Sequence, residues 1–420
     1  MRTHVKILMA GTAAVAASLS LCGVATSQQA DGAPAAGSNT YLNDQVQLGD
    51  VIAGQTLNVQ QATSGASAVT TSVANAVSAG ATNADLAFQS SQAVSGSVAA
   101  STSVLVNGGG SPYLIGSTSA TGNTATASTC CGTLSGTSTQ SLTGPGVGAT
   151  SDAYHGGYAA TTSVDATALG NTQGWNTNAG VINAASNQSS YGGVTAVNTA
   201  TVQATDEASY TATAVANDVE AYGTTSPVTL SVNQSQAGVT QALAANTQDY
   251  GGDAASTTSA VANNFNVYSD SYGNFIDATQ SNTGAVNVSN NQTVGTWYGT
   301  TATTGYGVGN STVVANAGSY TQATTDQNNA GGITVNASLY GGSLGDGGNA
   351  YVSATGVGNA VSGYACATCN GTISAHNKQV NSGSVHAGAA LTAQNVTTAS
   401  GVASAVGNTA TYDVVSSGSN

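Results

Sequence analysis

Short alternations of apolar and polar residues recur along the chain, as in Val286-Asn287-Val288-Ser289 and Ile333-Thr334-Val335-Asn336, and a period of two predicts β-strands. In one clear stretch, Leu230 to Gln234 reads as a strand, Ser235 to Gly238 as a turn, and Val239 to Thr247 as a second strand. Asp249 to Asp253 then turns, and Ala254 to Tyr268 forms a third, longer strand. The pattern keeps time. A small residue followed by Asn recurs at Asn75, Asn123, Asn171, Asn217, Asn263, Asn310, Asn359 and Asn408, at intervals of 46 to 49 residues. Gln45, Gln92, Gln140, Gln188, Gln234, Gln280, Gln327 and Gln379 precede those asparagines by 29 to 32 residues. Two markers in phase over eight cycles define a repeat protein rather than a low-complexity chain, which would not hold register.

Strand residues two apart share a face. On that rule Val215, Asn217 and Val219 point one way, as do Val261, Asn263, Phe265 and Val267, and Val357, Asn359 and Val361. Leu86, Phe88, Ser90 and Gln92 behave alike, as do Leu230, Val232 and Gln234. The amides therefore point inward, where an unpartnered one would be costly. Stacked rungs remove that cost, because each amide can donate to and accept from its copies above and below. The expectation is an all-β fold, a β-solenoid of eight repeats of about 47 residues with internal Asn and Gln ladders. Tyr-Gly pairs at Tyr191, Tyr222, Tyr250, Tyr272, Tyr298, Tyr306 and Tyr340 read as turns in which glycine supplies positive φ. One repeat makes either one wide rung or two narrow ones, giving a rod of about 40 Å or about 75 Å at roughly 4.8 Å between strands.

Composition supports the strands. Only 4 prolines interrupt 420 residues, whereas disordered linkers and mucin-like stalks use many. Large apolar residues are scarce, so the core is a thin one of Val, Ala and Thr that suits a coil and not a bulky globule. Arg2 and Lys6 followed by the uncharged Ile7 to Ala25 read as a cleaved export signal over residues 1–27, since the stretch is too rich in Ala, Ser and Gly for an anchor. Leu21 before Cys22 departs from a lipoprotein signal. A flexible linker is expected over 28–40, the solenoid over 41–412 and a polar tail over 413–420. Signal removal leaves Lys378 as the one basic side chain against 17 acidic ones. Such a chain cannot clamp phosphates, which excludes nucleic acid as a partner.

An exported, nearly uncharged chain with Gln and Asn at fixed places in short strands resembles the curlin repeat proteins of bacterial surface amyloid. Its unit is about twice as long, and the curlin spacing is only partly kept. Over its whole length the chain resembles the holdfast attachment protein D family of stalked alphaproteobacteria, on its signal segment, size and Ala/Thr/Asn/Gly-rich repeat. That resemblance implies an outer-membrane-associated protein that anchors an adhesive polysaccharide, with a curlin-like attachment protein and a curli-type secretion channel as partners.

Other chemistry is sparse. Cys130-Cys131 and Cys366-x-x-Cys369 each begin seven residues after a ladder asparagine, in repeats five apart, too far for a bridge between the pairs. If oxidised, each pair closes on itself, and export favours oxidation. His376 and His386 follow Cys369 at gaps unlike a zinc finger, and a redox role for the spaced pair lacks its βαβ context. No metal or other cofactor is expected. His155 reads as a turn histidine. Asp206-Glu207 and Asp218-x-Glu220 could pair for sugar hydrolysis but read better as solvated edges. Gly341 to Asp346 faintly matches a calcium-binding nonapeptide, once and with a misplaced glycine. The reading is a non-catalytic cell-surface adhesin or anchor that attaches an adhesive polysaccharide to the outer membrane. The alternatives are a self-associating subunit of a curli-like fibre, because nothing reads as an end cap, and a polysaccharide-processing β-helix enzyme.

Overall fold

The computed structural model describes residues 38–366 and 371–415. The expected signal segment, most of the linker, Cys369 and residues 416–420 of the tail lie outside the described residues. The first strand begins at Ser38 and the last ends at Val415, so strand structure reaches slightly past both ends of 41–412.

Each repeat makes one coil with three sides. The first side carries the glutamines on Ser38–Gln47, Asp85–Val94, Thr133–Leu142, Val181–Ser190, Val228–Gln236, Asn274–Asn282, Tyr320–Asn329 and Thr372–Asn381, which form one eight-stranded sheet. The second and third sides belong to a twelve-stranded sheet. They are separate strands in the outer coils, such as Val51–Val59 and Ala66–Thr82 in the first and Val385–Ala393 and Val396–Val415 in the last. In the middle coils they fuse into Gly146–Asn178, Gly193–Thr224, Thr240–Ser269 and Val286–Asn316. All these strands pair in parallel and in register with the next coil, Gln188 against Gln234 and Asn217 against Asn263. The β-solenoid expected from the repeat is therefore the fold, with one wide rung per repeat and a length of roughly 40 Å at about 4.8 Å per coil.

The turn expected at Asp249 to Asp253 is instead an irregularity within the continuous strand Thr240–Ser269, where the pairing shifts between Gly251 and Ala254. Strand hydrogen bonds to the flanking coils carry the backbone through it. The parity rule also needs correction. The residue before each ladder asparagine drops out of the pairing, so Val215 pairs with Val261 and Asn217 with Asn263 while Ala216 and Ala262 are skipped. Both the small residue and the asparagine turn inward, and the alternation reverses. Asn217, Val219 and Ala221 are buried together, whereas Val215, Val261 and Val357 lie on the other face in a separate apolar column with Val308 and Val406, packed against Tyr306 and Ala360.

The core is narrow. Val and Ala dominate it, and its few large fully buried side chains include Trp175, Tyr210, Phe88 and Phe265, of which Phe88 and Trp175 pack edge to face at 5.8 Å between centroids. Glycine at the Tyr-Gly pairs is not used for positive φ, which falls on Gly65, Gly109, Gly136, Gly146 and Gly342 instead. Coil stacking demands glycine elsewhere. At the corner between the first and second sides, Gly96, Gly144, Gly192, Gly238, Gly284, Gly331 and Gly383 stack in a column, and a Cβ on any of them would come within 2.5 Å of a backbone oxygen of the coil before.

Candidate binding surface and internal ladders

The eight asparagines form one hydrogen-bonded column. Each Nδ2 from Asn75 to Asn359 donates to Oδ1 of the asparagine in the following coil at 2.7–2.9 Å. The second N–H of each goes to a backbone carbonyl across the interior, such as Asn263 to Ser281 O at 2.9 Å. The glutamines form a second column, in which each Nε2 donates to Oε1 of the coil before at 2.7–2.9 Å. Their other N–H reaches the carbonyl of the residue after the asparagine, as Gln188 does to Asp218 O at 2.8 Å. These side-chain amides thus satisfy each other and tie the first side to the third.

The candidate chemistry of the sequence is scattered over the coils. His155 points inward and is buried, with Nδ1 accepting from Gly157 N at 3.0 Å, and burial lowers its pKa. Cys130 and Cys131 are free thiols whose sulfurs lie side by side, 2.6 Å apart. Cys366 is disulfide-bonded, while Cys369 lies outside the described residues. His376 and His386 sit on different sides of the last coil, in Thr372–Asn381 and Val385–Ala393. Residues 342–346 link two strands, and among the described residues no group of three or more His, Cys, Asp or Glu could hold a metal ion.

Asp218 is the most perturbed carboxyl. Burial, reinforced by the Glu220 charge, pushes it up to about 7 against the bond it accepts from Asn264 Nδ2 at 2.7 Å. The folded state therefore holds a proton that the unfolded chain has already released above pH 3.8. Stability from this group is present below that pH and is lost as pH rises towards 7, by at most about 4 kcal/mol for roughly three pKa units. Solvent reaching this half-buried residue lowers the figure. Asp218→Asn is expected to flatten that slope and to raise the unfolding midpoint at pH 8. Denaturant titrations at pH 4.5 and 8 measure it, and equal slopes in both proteins would refute the assignment.

Only the coiled chain brings together the most distinctive surface cluster. At the corner between the second and third sides, Tyr158 and Tyr298 donate to the two oxygens of Asp206, at 2.5 and 3.0 Å, across 92 residues in the longer case. Those bonds raise both phenol pKa values. In the intervening coil Asp253 accepts from Thr300 N at 2.6 Å. Tyr154 and Tyr250 are exposed along the same corner, and Tyr298 is 76% exposed. Beside Tyr298 an open depression of about 440 Å³ is lined by Tyr250, Trp297, Tyr298 and Asp346 among others. The sequence shows the tyrosines and carboxylates singly, but their stacking depends on pairing shifts at Val202/Ala204, Gly251/Ala254 and Trp297/Thr300 that no local pattern announces. On a second corner Tyr222 and Tyr268 stack at 5.1 Å and 12°.

Flat exposed rings beside carboxylate acceptors suit a polyhydroxylated ligand, in which C–H faces lie on the rings and hydroxyls donate to the carboxylates. No helix among the described residues is long and apolar enough to cross a membrane. No curated protein and no solved structure matches the chain. The family model of holdfast attachment protein D matches residues 60–332, which include the Tyr158–Asp206–Tyr298 corner. With most of its length covered by that match, the chain belongs to the holdfast attachment protein D family.

Proposed function

We propose that the chain is a non-catalytic anchor on the cell surface that holds an adhesive polysaccharide against the outer membrane. The observation that carries this is the ridge of exposed tyrosines and carboxylates around Asp206, in a member of a holdfast attachment family. Lys378 is the one cation among the described residues, so attraction to an acidic polymer is weak. Ring stacking and hydrogen bonds to neutral sugars supply the affinity. The expected partners are the polysaccharide first, then a curlin-like attachment protein and a curli-type secretion channel. Export by the segment 1–27 brings the chain to its partners.

Binding of the purified chain to the cell's own adhesive polysaccharide, read by surface plasmon resonance, tests the proposal. Affinity is expected to change less than about twofold between low and moderate salt, because only exposed charge interactions are strongly screened. Tyr158→Ala with Tyr298→Ala is expected to weaken binding about tenfold, from two lost ring contacts of roughly 0.5–1 kcal/mol each. Deleting the gene should leave the polymer made but shed from cells. Steep salt dependence, unchanged binding by the double variant, or degradation of the polymer by the purified protein would each overturn the reading.

A further inference from the structure

The two ladders run in opposite senses. Asparagine Nδ2 groups donate towards the C-terminal coil and glutamine Nε2 groups towards the N-terminal coil. The backbone carbonyls that take each amide's second N–H fix these orientations. The end coils therefore present different groups. Among the described residues, the first coil offers an unbonded Asn75 Oδ1, and Gln45 Nε2 spends only one N–H, on Ala76 O. The last coil offers Asn408 Nδ2 and Gln379 Oε1, because Asn408 serves only as acceptor for Asn359 and Gln379 only as donor. An acceptor and a donor at one end face a donor and an acceptor at the other.

The backbones match as well. The first coil has sides of 10, 9 and 17 residues and the last of 10, 9 and 20. Gln45 and Gln379 are each the eighth residue of their strands, and Asn75 and Asn408 each stand seven before the strand end. Setting Gln45 on Gln379 and Asn75 on Asn408 also sets Val51 on Val385, Leu57 on Leu391 and Val69 on Val402. It places Asp44 against Lys378, which in its own molecule pairs with Asp326 of the preceding coil at 2.9 Å.

We infer that the C-terminal coil of one molecule stacks on the N-terminal coil of a second copy, continuing both amide ladders and both sheets. The contact is heterologous and continues the coil along its own axis, so it propagates as a rod and does not close into a ring. Each junction pairs three open parallel edges, the feature that drives strand addition in other sheets. The inference stands independently of the ligand taken by the tyrosine ridge.

Sedimentation and electron microscopy of the full chain test it with two charge-altered proteins. Asp44→Lys with Val46→Lys gives the first coil two ammonium groups to meet Lys378. Lys378→Asp with Val380→Asp gives the last coil two carboxylates to meet Asp44. Val46 and Val380 are 60% and 46% exposed, so both proteins keep the interior intact. The unaltered chain is expected to form rods of constant width that lengthen with concentration in steps of roughly 40 Å. Each altered protein alone should associate at least about tenfold more weakly, and an equimolar mixture should regain rods, since lysines then meet aspartates at one junction and native residues meet at the next. A chain that stays monomeric at high concentration, end variants that associate like the parent, side-by-side bundling, or a mixture that fails to recover would overturn the proposal.

Discussion

Asn263→Leu is expected to destabilise the solenoid by about 3 kcal/mol or more, although it adds apolar surface to the interior. Asn263 accepts from Asn217 Nδ2 at 2.8 Å and donates to Asn310 Oδ1 at 2.8 Å and to Ser281 O at 2.9 Å. Leucine leaves those three groups without a partner in a fully buried position, and each buried unsatisfied group costs roughly 1–3 kcal/mol. The added methyl groups offset part of this, since burying a leucine side chain contributes about 1.5–3 kcal/mol. They also crowd a column spaced for amides. Asn266→Ser, on the opposite face, should stay within about 0.5 kcal/mol. Urea titration compares the three proteins, and an unchanged midpoint for Asn263→Leu would remove the ladder from any account of stability.

Gly284→Ala is expected to be as damaging for a different reason. The new Cβ would stand 1.9 Å from Gly238 O and 2.9 Å from Ala237 O, both rigid backbone of the preceding coil. The two coils must part locally, which strains the bond from Thr283 N to Gln236 O beside it. Overpacking of this kind costs roughly 1–3 kcal/mol, and loosening the backbone bond adds about 1 kcal/mol more. Gly332, at the same corner in the next coil, has nothing within 4 Å of its would-be Cβ. Gly332→Ala is therefore expected to be neutral or slightly stabilising through the unfolded chain. Thermal melts of the two alanine proteins decide it, and similar melting temperatures would show that the glycine column has no steric role.

The repeat, its eight copies, the strands and the inward amides were legible in the residues alone. A parallel in-register stack places each residue on its own copy, so a buried Asn or Gln is kept only where its copies recur, and the spacing of Asn217 and Asn263 records the coil directly. The glycine column was equally regular from Gly96 to Gly383, yet it reads as turn chemistry until the stacking distance shows what a Cβ would strike. Other features depended on how three sides close around a thin core. Alternation predicts Val215, Val261 and Val357 inward, but the chain bends at the residue before each asparagine and turns them to the other face. The same closure sets Tyr298 over Asp206 across 92 residues and opposes the sense of the two ladders. Local periodicity carries the first kind of information because every strand repeats its neighbour's environment. The bends, the tyrosine corner and the matched ends are set by packing between sides, which only the folded coil decides.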